Sequence, residues 1–223
     1  MGSGAGPVFL SFGVNVGQLT EDESVVFTAV LTDPNGIDDL IGGTLTSPDG
    51  TIQYGAFATS GQEGSYSLAL TWAQISQTQT LEFVDEESRE FLAAFFDVAG
   101  SKTTRTVSVR FYCPVGGACG GLCKDFQNDP EHCGGCGLSA DGCSQGAPYS
   151  WTCFANQQEP ITCNEACQSR GSTCSNACTF GGSKNKGQLY DITETCSGPA
   201  FVESCEHILN TYFYDDTSCC CKD

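Results

Sequence analysis

All sixteen cysteines of this chain fall between Cys113 and Cys221, and the first 112 residues contain none. Apolar burial and covalent stapling are alternative ways of holding a small fold together, so this division separates two kinds of structure. The first 112 residues carry 32 Val, Leu, Ile and Phe, enough for an ordinary core, whereas the remaining 111 carry 14. That is about an eighth, below the roughly one-fifth at which a chain struggles to fold by burial. An even cysteine count at this density has the composition of a disulfide-braced extracellular module. Cys113, Cys119, Cys123, Cys133, Cys136, Cys143, Cys153, Cys163, Cys167, Cys174, Cys178, Cys196, Cys205, Cys219, Cys220 and Cys221 are therefore expected to pair among themselves.

Cytosolic thiol pools would keep so many cysteines reduced, so the expected location is extracellular or at a cell surface. The opening "MGSGAGPVFL" has neither the basic nor the apolar region of a secretory signal, and residues 1–6 read as a cloning remnant ahead of a mature chain. The longest apolar run, "FLAAFF" at 91–96, is far too short to cross a bilayer, so no membrane insertion is expected. Acids outnumber bases 14 to 4 up to Tyr112 and 13 to 5 beyond it, which sums to the net charge of −18. Such a surface disfavours nucleic acid and anionic lipid and favours solubility or cations, including calcium.

Residues 7–112 alternate with period two. Val8, Leu10, Phe12, Val14 and Val16 share one face of a first strand, and Val25, Phe27, Ala29 and Leu31 one face of a second. Tyr66, Leu68, Leu70 and Trp72 repeat the pattern, as do Val107, Val109 and Phe111. Turn signals "DPNG" (33–36), "SPDG" (47–50), "GQEG" (61–64) and "AGSK" (99–102) separate these runs. Together with "TLT" (44–46), "TIQYGAF" (51–57) and "REFLAAFFDV" (89–98), they predict about seven antiparallel strands, the arithmetic of an immunoglobulin-like sandwich. The phrases "LTDPNGIDDLIGGTL", "SPDGTIQYGAF", "EGSYSLALTW" and "FFDVAGSKTTRTVSVRFYC" also resemble the immunoglobulin-like modules of large exported proteins of myxobacteria. That resemblance implies a spacer or binding module.

One stretch of this half offers hard oxygen ligands around a tight turn. Asp33, Asn35, Asp38 and Asp39 in "DPNGIDD" match the start of an EF-hand calcium loop, but position 12 is Thr44 rather than glutamate. The alternative is a plain turn in which Asp33 bonds its own backbone and Gly36 takes a positive φ.

After Tyr112, six cysteines fall in 31 glycine-rich residues, with neither helical nor strand periodicity. Within them, "DPEHCGGCG" resembles a CGxCG-type cysteine-rich repeat of exported myxobacterial proteins. Cys133 and Cys136 have the spacing of a redox pair, but three glycines flank and separate them and no strand-helix-strand unit surrounds them. Cys119 and Cys123 with Cys133 and Cys136, and His132 to spare, have the pair spacing of a zinc ribbon. Structural disulfides are the favoured reading, with Cys133 and Cys136 bonded to separate partners. From residue 149 a second stapled unit follows. Thr162 and Glu165 form a capping box for a short helix ending at Gly171, which places Cys163 and Cys167 on one face. A second helix is expected over "PAFVESCEHILN" (199–210), and then a strand into Cys219, Cys220 and Cys221, each tied to a different element.

The expected fold is mainly β. A seven-stranded immunoglobulin-like sandwich (7–112) is followed by a small disulfide-rich α+β or irregular part, divided into a stapled segment (113–148) and a domain with two short helices (149–223). No catalytic motif appears, and the only histidines are His132 and His207, so an enzyme is not expected. The favoured function is a secreted or cell-surface interaction or adhesion protein whose stapled head binds a protein or glycan. For a glycan, Trp151, Tyr190, Tyr212 and Tyr214 are the candidate contacts, against the alternative that they fill the small core. Two other readings remain: a self-associating structural subunit of an extracellular assembly, and a metal-binding cysteine cluster.

Overall fold

Val25, Phe27, Ala29 and Leu31 are at most 2% exposed, while Ser24, Thr28 and Thr32 on the alternate positions face solvent. This parity builds the first of two units, Met1–Cys123 and Lys124–Asp223, into which the chain divides. The computed structural model describes residues 6–155, 162–180, 183–186, 188–191, 201–206, 208 and 216–222.

The first unit runs through β1 (Val8–Val14), β2 (Gln18–Leu19), β3 (Ser24–Thr32), β4 (Leu40–Thr46), β5 (Gln53–Ala56), β6 (Ala58–Thr59), β7 (Ser65–Thr71), α1 (Trp72–Thr78), β8 (Phe83–Asp97), β9 (Lys102–Cys119) and β10 (Leu122–Lys124). Two sheets form, ordered β1-β3-β7-β6 and β10-β9-β8-β4-β5, with β2 beside β9. Their facing sides share one aromatic core. Phe27 meets Phe91 at 5.0 Å between ring centroids, Tyr66 meets Phe95 at 5.0 Å, and Phe9 meets Phe95 at 5.6 Å. Such pairs add to area burial by about 0.5–1.5 kcal/mol each.

Ten strands are present here among the described residues, rather than the seven predicted. The additional ones, β2, β6 and β10, are two or three residues long, too short to show a period. The predicted parity of the first strand also changes. Val8 and Leu10 are 48% and 65% exposed, and Phe9 is buried instead. A bulge between Phe9 and Ser11 shifts the register against β3, so Phe9 points inward before it and Phe12 and Val14 pack inward after it. The run ending at Trp72 does not stay extended either. The Thr71 hydroxyl accepts from Gln74 N–H and the Gln74 side chain accepts from Thr71 N–H, a capping box that starts α1.

Two buried contacts hold α1. Trp72 Nε1 donates to Gly121 O at 2.7 Å, and the Gly121 backbone runs so close to the helix that a Cβ there would meet Ser76 Oγ at 2.1 Å. Arg89, 8% exposed on β8, donates to Gln79 O at 2.7 Å and Thr80 O at 2.9 Å and pairs with Glu87. Its planar fork reaches both carbonyls beyond the helix end.

In the second unit the strands are β11 (Gly142–Ser144), β12 (Ala147–Ala155), β13 (Cys178–Phe180), β14 (Ser183–Lys186), β15 (Gln188–Asp191), β16 (Phe201–Glu203) and β17 (Asp216–Lys222), with α2 (Cys163–Ser169) after β12. They make one sheet, ordered β14-β13-β11-β12-β17-β15-β16. Helix α2 starts with the predicted capping box of Thr162 and Glu165. The described part of the segment expected as a helix at 199–210, residues 201–206 and 208, is not helical. Phe201 and Val202 are strand formers, and β16 pairs antiparallel with β15 from Gln188↔Glu203 to Tyr190↔Phe201, followed by a turn at Cys205. Nor does periodic structure end at Tyr112, since β9 continues to Cys119, opposite Phe83 and Val84 of β8. Residues 1–5, Cys196, His207, Tyr212 and Tyr214 lie outside the described residues; of Cys153 and Tyr190 only the backbone is described.

Replacing Arg89 with Ala leaves the Gln79 and Thr80 carbonyls without their donors and Glu87 without its partner. A loss of about 2–4 kcal/mol in denaturant unfolding is expected. Arg89→Lys restores only part of it, because one ammonium cannot reproduce the fork.

Candidate functional site

The second unit is built around a match between a helix and a strand. Cys163 and Cys167 stand four residues apart on α2 and bond Cys219 and Cys221, two apart on β17, with Cα separations of 5.4 and 5.6 Å. Four helical residues rise about 6.0 Å and two strand residues about 6.6 Å, so the bridges form two rungs of one ladder. Cys220 lies between them on the strand and points to the opposite face, where it bonds Cys178 of β13. The three adjacent cysteines therefore do not each tie a different element as expected: Cys219 and Cys221 both bond α2, and Cys220 bonds β13. A further bond, Cys174–Cys205, fixes the turn that follows β16.

Cys133 bonds Cys143 rather than Cys136, so "CGGC" is no redox pair. Gly134, at φ 78°, lets its own N–H donate to Phe126 O at 2.9 Å within this corner. Cys113 bonds Cys123, and Cys119 and Cys136 are also oxidised. The zinc ribbon expected as one alternative is thereby overturned, because four of its thiolates are consumed in disulfides. His132 Nδ1 accepts from Gly137 N–H at 3.1 Å, a turn contact rather than a metal bond.

Of the predicted contact aromatics, Trp151 lies on β12 opposite Cys220 of β17. It is half-buried and lies outside the core group of Phe154, Ala166 and the buried cysteines, and its backbone N–H donates to Asp141 Oδ2 at 2.8 Å. Tyr149, two residues earlier on the same side of the strand, is half-buried as well. Tyr190 belongs to β15, which borders β17 on its other side.

Two surface depressions lie among the described residues of this unit. One, of about 490 Å³, is lined by Cys133, Gly134, Gly137, Leu138, Ser139, Gly146 and Pro148. The other, of about 350 Å³, lies between Arg170, Gly171, Ser172, Thr173 and Lys222. It gathers two of the nine bases in a chain of net charge −18. Arg170 stacks over the Phe154 ring at 4.5 Å, which fixes the guanidinium at its rim. Sequence reading missed this notch, since Arg170 and Lys222 are 52 positions apart and meet only through the α2–β17 bridges.

In the first unit the predicted calcium loop is only partly assembled. Both features of the turn are present, with Asp33 Oδ1 accepting from Asn35 N–H at 2.8 Å and Gly36 at φ 114°. Asn35 and Asp38 are exposed, and the carboxylates that gather are Asp33, Asp39 and Asp97. Asp97, the last residue of β8, stands 64 positions after Asp33, and no local pattern signals it.

No family model matches the chain, and no curated protein matches it. Among solved structures it is similar to the PKD1 domain of Vibrio anguillarum Epp, with 13% identity, a TM-score of 0.30, and coverage of 50% of this chain and 100% of that one. It is also similar to domains 4 and 5 of the S-layer protein SbsC, with 17% identity, a TM-score of 0.22, and coverage of 48% of this chain and 52% of that one. At these scores neither likeness carries weight for the function of the chain.

Reduction is expected to add one hydrogen per cysteine, sixteen in all, to the intact mass. A smaller gain would mean that free thiols are present in the native protein. Hydrogen exchange after reduction should show the second unit losing protection first, because each bridge contributes about 2–4 kcal/mol and its core is thin.

Proposed function

We propose that the chain is a secreted or cell-surface interaction protein that works by binding, with the sandwich as spacer and the disulfide-braced unit as recognition head. The observation that supports this best is the bridging. Five disulfides among the described residues lie within the second unit and hold a sheet whose apolar content is low. Such a brace withstands an oxidising, protease-rich exterior and presents side chains on a rigid support. Tyr149 and Trp151, half-buried side by side on β12, offer an aromatic platform for a protein or a glycan, and Tyr190 is the further candidate on β15.

Binding to a glycan array or to intact cells tests this reading. Wild-type signal is expected to fall at least about tenfold in Trp151→Ala, given the 2 kcal/mol or more that central aromatic contacts contribute. The oxidised mass should not change beyond the substitution itself. Retained signal in that variant would remove the platform from the proposal, and absence of wild-type binding to both arrays and cells would sink the head as a recognition element.

A second reading, a subunit of an extracellular assembly, has one observation in its favour. β1 is an outer strand of its sheet, and it exposes Val8 and Leu10 at 48% and 65%. An outer strand with exposed apolar side chains can take part in adding another strand. Sedimentation over a wide concentration range is expected to show an association that Leu10→Lys abolishes; a concentration-independent monomer would dismiss the assembly.

A further inference from the structure

Asp33, Asp39 and Asp97 each present a carboxylate oxygen, and the three atoms lie within 4.8 Å of one another. Two of the three residues are deeply buried, Asp33 at 6% and Asp97 at 0% exposure. In both, one oxygen is held by a backbone N–H: Asp33 Oδ1 by Asn35 at 2.8 Å and Asp97 Oδ1 by Ser101 at 2.6 Å. The other oxygen of each, Oδ2, is buried with no hydrogen-bond donor. Among the described residues no Lys, Arg or His pairs with any of the three; the ion pairs present are Arg89–Glu87 and Arg110–Glu86.

An ionised carboxylate removed from water without a partner is strongly disfavoured, and two like charges at this spacing repel each other as well. Rigidly oriented oxygens in that condition are the donor set of a cation site. We infer that Asp33, Asp39 and Asp97 bind a calcium ion. The donors are all hard oxygens, with no imidazole or thiolate in the cluster, which excludes a preference for zinc or copper. Oxygens on opposite sides of an ion bonded at about 2.3–2.6 Å are separated by about this span, and calcium accepts the irregular, carboxylate-rich coordination that magnesium resists.

The three ligands come from separate segments. Asp33 follows β3 in one sheet, Asp39 ends the 3-10 turn Ile37–Asp39 that leads into β4 of the other, and Asp97 closes β8. Val98 N–H donates to Asp39 O at 2.9 Å, so the β8–β9 turn is already clasped to the β4 entry. Gly6 passes over the same corner, where a Cβ would meet Ser101 Cβ at 2.7 Å and stand 3.8 Å from Asp97 Oδ2. The ion therefore joins the two sheets at one end of the sandwich, and it stabilises the folded state by mass action.

Isothermal titration of the full chain with calcium chloride at physiological ionic strength tests this. One saturable site is expected, with Kd in the range of about 10⁻⁴–10⁻³ M typical of extracellular modules. A rise in thermal midpoint should accompany it. Asp97→Asn is expected to weaken binding by more than about tenfold and to abolish the thermal shift, because it removes one ligand charge of three. Glu90→Gln, an exposed acid on β8, should leave both unchanged. If Asp97→Asn does not fold, Asp39→Asn at the half-exposed ligand carries the same expectation. The assignment is overturned if wild type shows no saturable site, if Glu90→Gln weakens binding as much as the ligand variants do, or if magnesium gives the same heat and the same shift.

Discussion

The second unit depends on a coincidence of two repeats. A helix advances about as far in four residues as a strand does in two, so cysteines at those spacings can be joined pairwise without bending either element. Cys163 and Cys167 on α2 meet Cys219 and Cys221 on β17 in this way. Alternation along the strand then sends Cys220 to the far face, where β13 is waiting. One strand thereby carries three covalent bonds to both of its faces. The remaining strands of that sheet pair outward from this strand and its neighbours, in the order β14-β13-β11-β12-β17-β15-β16.

The first unit solves the same problem mainly by apolar packing, with one bridge, Cys113–Cys123, at its core. Phe27, Phe91, Phe95 and Phe111 are fully buried, and rings from both sheets interlock. Where polar groups are buried, they are placed at element ends that need partners: Trp72 Nε1 on Gly121 O, and the Arg89 fork on the carbonyls beyond α1. The buried carboxylates Asp33 and Asp97 depart from this pattern, because Oδ2 of each has no hydrogen-bond donor.

How much of the molecule is legible in its sequence depends on the range over which each signal acts. Period two marks the faces of β3, β7 and β9 correctly, because Val25, Phe27, Val109 and Phe111 reach the core through local geometry alone. A capping box is likewise local, and the one at Thr162 and Glu165 is legible. Its counterpart at Thr71 and Gln74 is hidden behind an alternating run that continues into Trp72. A single bulge after Phe9 inverts the expected face of Val8 and Leu10, since one inserted residue changes the parity of a strand. Long-range pairings leave no trace in spacing: Cys163 with Cys219, Arg170 beside Lys222, and Asp97 beside Asp33. Each arises only when the topology brings distant segments together.

The placement of the cysteine triplet also orders events in time. Its partners precede it by 56, 54 and 42 residues, whereas Cys133 and Cys143 are 10 apart. In any compartment that oxidises the chain as it emerges amino end first, the short bridge can close at once. Cys163, Cys167 and Cys178 must wait as thiols among wrong partners until residue 221 arrives. Any of these thiols that pairs wrongly in the meantime reaches its native partner only through thiol–disulfide exchange.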